Sequence, residues 1–332
     1  MQQHEFLALG DITTEPFIRI DDAEVTCDPS GEHCRLSLRF GDKVPYESAE
    51  ICRAVGNSPN AATSAARLGL DAGLLSYMGD DDIGHGNTAE LAKNGVRTDM
   101  LQTVPGMQSN YHYVLWHIPE RTILIKHTEY PYKLDMNMPA PKWMYLSSLA
   151  SNSAAYHDEI TAYLKTHPEV KLIYQPGTFQ MKLGIERTRE IYARTEVFVC
   201  NFEESQRILA TEETDFKKLM DMIHALGPKI VCITDGLKGA YAREDDGTSW
   251  FMPIYPNSPS GPLERTGAGD SFTSTFAVAL ARGKTVAEAL LWAPINAMSV
   301  TEHVGAQKGL LTEAQLLEFL AKAPADYVPA KI

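Results

Sequence analysis

Short, mostly apolar runs recur along the chain, separated by longer stretches whose apolar residues return at helical spacing. Phe6 to Leu9, Gly73 to Tyr77, Trp143 to Leu146, Val170 to Tyr174, Val197 to Cys200 and Ile230 to Ile233 have the length and continuous character of buried strands. Between them, Ser153 to Thr166 carries apolar residues at helical period and stops near Pro168, and Phe216 to Leu226 stops at Gly227-Pro228. Ser271 to Arg282 is an amphipathic run, and Thr285 to Thr301 and Thr312 to Ala321 make the C-terminal third helical. Strands alternating with helices in this way predict an α/β fold with a mainly parallel central sheet covered on both faces.

Two stretches break the alternation. Phe17 to Tyr46 and Ser109 to His127 have strand-like content with no helix between their runs, which predicts antiparallel ribbons outside the main sheet. Such ribbons are either surface hairpins without a role or a lid that closes over a ligand and excludes water. No internal repeat, low-complexity tract or linker divides the chain, so residues 1–332 are expected to form a single domain, with the lid at about 13–46 and 108–128.

Composition narrows the class of partner. With 332 residues, 44% of them hydrophobic, the chain can bury a sizeable core, and its net charge of −13 argues against nucleic acid or an anionic membrane. A small molecule is the better partner. The five cysteines (Cys27, Cys34, Cys52, Cys200, Cys232) are odd in number and scattered, which points to free thiols in a reducing cytoplasm. Cys27, His33, Cys34 and Cys52 match no common zinc spacing. No window has the length to span a bilayer, and the N-terminus lacks the pattern of a signal peptide.

The chemistry concentrates in Thr266-Gly267-Ala268-Gly269-Asp270, directly before and into the amphipathic run. Small residues opening a helix leave N–H groups free to face an anion, and the helix dipole adds positive potential there. Asp270, in the first turn, is placed to take a proton from an alcohol attacking phosphorus. Taken alone, the same residues also describe an ordinary capped helix start. No Walker pattern and no dinucleotide fingerprint occurs, which weighs against a dehydrogenase. Position adds weight, because Gly10-Asp11, Asn201-Phe202-Glu203-Glu204 and Thr234-Asp235-Gly236 all follow predicted strands, where open α/β sheets bind ligands.

The ordered set resembles the ribokinase-like (PfkB) carbohydrate kinase family along nearly the whole chain. Gly56-Asn57-Ser58-Pro59-Asn60-Ala61-Ala62, with Gly69 and Gly79 beyond, is similar to its N-terminal signature, and Met78 to Gly84 to the turn that follows. Asn201-Phe202-Glu203-Glu204 resembles its Asn-x-x-Glu element, Thr234 to Gly239 its nucleotide-binding turn, and Thr266 to Asp270 its catalytic signature. The resemblance implies a three-layer α/β/α ribokinase-like fold with a β-ribbon lid, ATP as donor and Mg2+ as bridging ion. It makes Asp270 the base and the N–H groups of Gly267, Ala268 and Gly269 the anion hole. Asn201, Thr234, Gly236 and Gly239 would approach the nucleotide, and Glu204 would organise magnesium through water. Asp11, Gly56, Asn57 and Asn60 would meet the acceptor. Glu264 and Gly305 would frame a possible K+ site, and the lid would serve a possible homodimer.

Three departures from the family pattern stand out. Glu15 occupies the place of an aspartate that reaches acceptor hydroxyls, Val55 that of a glycine, and Glu264 that of an aspartate six residues before the base. The interval from Gly10 to Gly56 is also long, which predicts an enlarged lid. The acceptor remains open among a sugar, a sugar phosphate, for which Arg121 and Lys126 are suited, and a nucleoside, on which Tyr111, Tyr113 and Trp116 would stack. The leading expectation is a sugar kinase; the alternative from another class is a silent sugar- or nucleotide-binding module.

Overall fold

The computed structural model describes residues 2–28, 34–117, 120–256 and 264–332. In chain order the strands begin with β1 (Phe6–Leu9), β2 (Thr13–Arg19), β3 (Glu24–Cys27), β4 (Cys34–Ser37), β5 (Ser48–Val55) and β6 (Ala72–Gly79). They continue with β7 (Leu101–Val104), β8 (Asn110–Tyr111), β9 (Tyr113–His117), β10 (Glu120–Leu124), β11 (Trp143–Leu146) and β12 (Lys171–Tyr174). The last are β13 (Thr195–Asn201), β14 (Ile230–Thr234), β15 (Ala240–Arg243), β16 (Ser249–Met252) and β17 (Ala330–Lys331). The helices are α1 (Asn57–Arg67), α2 (Asp82–Lys93), α3 (Ala154–Thr166), α4 (Thr178–Arg194) and α5 (Phe202–Leu209), followed by α6 (Phe216–His224), α7 (Ala268–Ala281), α8 (Val286–Thr301) and α9 (Glu313–Ala321).

Among the described residues, ten strands form the main sheet in the order β17-β16-β15-β14-β13-β12-β11-β1-β6-β7. Pairing is parallel from β14 to β7 and antiparallel from β14 through β17. β1 shows why its sequence makes a central strand. All four residues are buried, Phe6 and Ala8 in one hydrophobic core and Leu7 and Leu9 in the other, as strand alternation requires. The first core takes Ala61, Phe276 and Leu290 from α1, α7 and α8; the second takes Ile160, Ile191 and Ile223 from α3, α4 and α6. The result is three layers, with each predicted strand and helix in place.

The stretches that break the rhythm do not remain separate hairpins. β2 pairs parallel with β8 and β9 and antiparallel with β5, and β9 pairs antiparallel with β10, so both stretches join in one smaller sheet. Its edge strand β5 lies beyond Tyr46, outside the expected range. The extra length between Gly10 and Gly56 includes an exposed β3–β4 hairpin in which Cys27 and Cys34 form a disulfide. Cys200 and Cys232 are free and buried in their strands, Cys52 is free as well, and the Cys27–Cys34 pair is the departure from a set of scattered thiols. His33 lies outside the described residues, and no cluster of metal-ligating side chains occurs among those described. No helix of the described residues is long and apolar enough to cross a membrane.

A buried amide locks the helices that carry the site. Asn296, on α8, donates through Nδ2 to Thr275 Oγ1 of α7 (2.8 Å) and Ser64 Oγ of α1 (3.3 Å), and its Oδ1 accepts from the Leu311 N–H (3.0 Å). Removing it leaves buried polar groups unpaired, which costs about 1–3 kcal/mol. Asn296→Ala is therefore expected to lower the unfolding free energy by about that amount in a denaturant titration; an unchanged midpoint and slope would contradict the brace.

Candidate active site

Helix α7 opens on a backbone only glycine tolerates. Gly267 sits in the left-handed region (φ 82°), and a Cβ there would lie 2.4 Å from the Ala306 Cβ. The N–H groups of Gly267, Gly269 and Asp270 have no partner among the described residues, whereas that of Ala268 donates to the Arg265 carbonyl at 3.3 Å. Such N–H groups at a helix N-terminus are suited to an anion. The donors differ from expectation at Ala268, whose N–H is already engaged in a turn.

Asp270 is buried in the first turn of α7, at the mouth of the helix. Asn57 Nδ2 donates to Oδ1 at 2.7 Å, Asn60 Nδ2 to Oδ2 at 2.8 Å and Gln175 Nε2 to Oδ1 at 3.2 Å. Each donor is itself positioned. Asn57 and Asn60 stand in the first turn of α1, whose start is set by Gly56 (φ 120°) pressed against the Asp11 carbonyl. Asn60 Oδ1 accepts from Gln307 Nε2 (3.0 Å), and Gln175 Oε1 from the Tyr145 hydroxyl (2.6 Å). Burial raises the Asp270 pKa, the hydrogen bonds from Asn60, Asn57 and Gln175 oppose that rise, and the nearby Glu15 charge adds to it. A carboxylate made more basic and still held in one orientation is suited to accept a proton.

Two cavities meet at this mouth. One, of about 360 Å³, is lined by Glu15, Asn57, Asn60, Arg121, Gln175, Glu204, Gly267 and Asp270 among others. The second, of about 400 Å³, has an apolar wall of Leu237, Ala240, Ile254, Tyr255, Phe272 and Met298, with Gly236 and Gly239 in the turn after β14. Asn201, Thr234, Arg265 and Gly269 line both. A polar chamber that holds Asp270 and a largely apolar chamber therefore meet at Gly269. Size and lining fit two small ligands placed end to end.

The remaining expected residues divide. Asn201 and Glu204 form a reciprocal cap on α5, Asn201 Oδ1 accepting from the Glu204 N–H (2.8 Å) and Glu204 Oε2 from the Asn201 N–H (2.9 Å). Burial raises the pKa of Glu204, and Oε1 is its atom left for a ligand. Gly239 (φ 109°) packs its Cα against the Met252 carbonyl. Asp11, expected at the acceptor, lines neither cavity: its carboxylate accepts from the Tyr132 hydroxyl (2.7 Å) and meets His127 Nδ1 (3.2 Å). Glu264 is buried, its Oε1 accepting from the Thr266 N–H and the Thr266 hydroxyl and forming an ion pair with Arg121 (Nε at 3.1 Å), while Oε2 has no partner among the described residues. Gly305 stands against Cys52 and Phe17 of the smaller sheet, and no hydrogen bond among the described residues joins it to Glu264.

Arg121 reaches the site from β10, its Nε donating to Thr266 Oγ1 at 2.8 Å, and Arg265 meets Glu120 at 3.6 Å. The smaller sheet is thereby tied to the loop that opens α7. Trp116 is buried beneath Arg19, Tyr113 is exposed and edge-on to Tyr111, and Lys126 is exposed, so none of these lines a cavity. Sequence reasoning passed over Gln175, Arg265 and Gln307. Of these, Gln175 alone carries a signal, since it follows the carboxyl end of β12.

The pfkB family carbohydrate kinase model matches residues 23–313. The chain belongs to that family. It is an ATP-dependent carbohydrate kinase, a phosphotransferase with an alcohol group as acceptor. Among curated relatives, it is 29% identical to the ribokinase of Bacillus subtilis, over 80% of this chain and 87% of that one. It is 24% identical to 5-dehydro-2-deoxygluconokinase 1 of Bacillus cereus, over 83% and 89%. The solved structure of Arabidopsis thaliana ribokinase complexed with ribose and ATP superposes with a TM-score of 0.78 at 20% identity, covering 96% of this chain and 99% of that one. The three-layer arrangement of this kinase is the ribokinase fold.

Gly267 tests the mouth of α7. In Gly267→Ala the left-handed backbone costs about 1–2 kcal/mol and the added methyl collides with Ala306. The variant is expected to melt earlier and to lose the thermal protection given by ATP; full protection by ATP would show that the mouth does not hold the phosphates.

Proposed function

We propose that this kinase transfers the γ-phosphoryl group of ATP to a hydroxyl of a neutral sugar, with Asp270 as general base. The observation that carries the reading is the junction of the two cavities at the mouth of α7, with a buried, raised-pKa carboxylate beside it. The apolar chamber suits a nucleobase, the N–H groups of Gly267, Gly269 and Asp270, unpartnered among the described residues, suit the transferring phosphoryl group, and the polar chamber suits a polyol. ATP arrives with Mg2+, for which Asn201 and Glu204 Oε1 are the nearby oxygen donors. The chain is read as one domain whose smaller sheet acts as the lid.

The lining favours a sugar over the other acceptors. Arg121, the cation suited to an acceptor phosphate, is paired with buried Glu264, and the aromatic residues suited to a nucleobase point elsewhere. Glu15 and Asp270 together repel an anionic acceptor. The relative named for ribose supports a neutral carbohydrate as acceptor, whereas the relative named for 5-dehydro-2-deoxygluconate, an anionic sugar acid, supports a carbohydrate hydroxyl only. For potassium, Glu264 Oε2 is the atom that fits, being buried and without a partner among the described residues; no contact among those residues brings Gly305 there. Exposed Ile51, Tyr113, Leu124 and Ile125 make the smaller sheet the surface on which a second copy would pack. A silent binding module fits less well, since burying a carboxylate costs stability that binding alone does not require.

Asp270→Asn is expected to lower kcat by about 10² to 10⁴ with nucleotide affinity retained; turnover near wild type would remove Asp270 from the role. The base works only when ionised, so a raised pKa places the acid limb of the kcat/KM profile above the ordinary carboxylate value of 3.8. Asn60→Leu removes a hydrogen bond that favours the charged form and is expected to move that limb to still higher pH. A limb that stays in place, measured across a panel of neutral sugars with coupled ADP detection, contradicts the assignment.

A further inference from the structure

The smaller sheet aims one carboxylate into the acceptor chamber with unusual care. Between β2 and β5 the register shifts, so that Arg53 and Ala54 together oppose Thr14. Ala54 takes a positive φ of 55°, a conformation that non-glycine residues seldom adopt. Asn87 of α2 pins this bulge, its Oδ1 accepting from the Thr14 hydroxyl (2.6 Å) and the Ala54 N–H (2.8 Å). Bulges re-aim neighbouring side chains, and the residue after Thr14 is Glu15, which lines the polar chamber.

Glu15 has one methylene more than the aspartate expected at this place, and hence one more torsion to fix. His112 fixes it. The His112 backbone N–H donates to the Thr14 carbonyl (3.1 Å), which docks it on β2, and its Nδ1 lies 3.2 Å from Glu15 Oε1. A carboxylate only accepts, so the contact requires the proton on Nδ1. The imidazole is buried and leans on the ring of His127, at 5.1 Å between centroids.

We propose that His112 is a positioning residue for the acceptor: it holds Glu15 Oε1 so that Oε2 receives a second sugar hydroxyl while the reacting hydroxyl meets Asp270. The inference rests on the sugar-kinase reading and deepens it, because it demands a polyol with two suitably spaced hydroxyls. His112 makes no contact with the reacting atoms and acts through Glu15 alone.

The test uses the best neutral sugar of a panel that includes D-ribose, together with its deoxy analogues. His112→Ala is expected to raise the acceptor KM about tenfold, with the KM for ATP unchanged, and His112→Asn, which keeps a donor near the Nδ1 position, to restore most of the loss. One deoxy analogue should be as poor for wild type as the parent sugar is for the Ala variant, and should be insensitive to the substitution. An unchanged acceptor KM, equal losses on every analogue, or a matching rise in the KM for ATP overturns the proposal. Should wild type phosphorylate no sugar, the sugar-kinase reading fails and the pairing is judged by imidazole ¹⁵N spectra. A His112 signal of the Nδ1–H form that moves on adding D-ribose and on Glu15→Gln supports the pairing; a signal indifferent to both overturns it.

Discussion

The site depends on keeping one carboxylate out of water without silencing it. Asp270 is buried at the start of α7, where desolvation pushes its pKa up and three amide donors pull it down. If the donors were absent the group would hold its proton; if water replaced them it would be an ordinary weak base. Fixing two amides on one helix and a third at a strand end around a carboxylate on another helix requires α1, α7 and β12 to keep their relative positions. The buried Asn296 network and the Tyr145–Gln175 and Gln307–Asn60 contacts serve that end.

The same constraint explains the two-sheet design. The main sheet brings Gln175, Asn201 and Thr234 to one edge, at or just beyond the carboxyl ends of β12, β13 and β14, but it offers no cover. Cover comes from the smaller sheet, whose strands alternate between the chamber and solvent: on β10 Ile123 and Arg121 line the chamber while Leu124 and Thr122 are exposed. Its Arg121–Glu264 ion pair ties that cover to the loop preceding α7.

What the sequence disclosed, and what it did not, follows from the range of the interactions. Phe6–Leu9 and Trp143–Leu146 are predicted to the residue because full burial on both faces leaves an uninterrupted apolar run. β5 escaped because Ser48–Val55 is largely exposed and lacks such a run, and the parallel pairing of β2 with β9 escaped because nothing local encodes partner choice. In the site, Asp270, Asn57 and Asn60 were legible as helix starts rich in small and polar residues. The Arg121–Glu264 pair was not, since nothing local encodes which side chains meet across a long separation, and Gln175 carries only its place after β12. The family resemblance makes Asp11 an acceptor contact; in the structure its carboxylate accepts from the Tyr132 hydroxyl and lies beside His127, residues with no sequence mark of that arrangement.

The central claim is that acceptor and donor meet at the mouth of α7. A crystal structure with a non-hydrolysable ATP analogue and a neutral sugar addresses it most directly. The account predicts the terminal phosphate on the N–H groups of Gly267 and Gly269, with one sugar hydroxyl within hydrogen-bond distance of Asp270. A terminal phosphate seated elsewhere, or a sugar whose hydroxyls all lie beyond reach of that carboxylate, would contradict it.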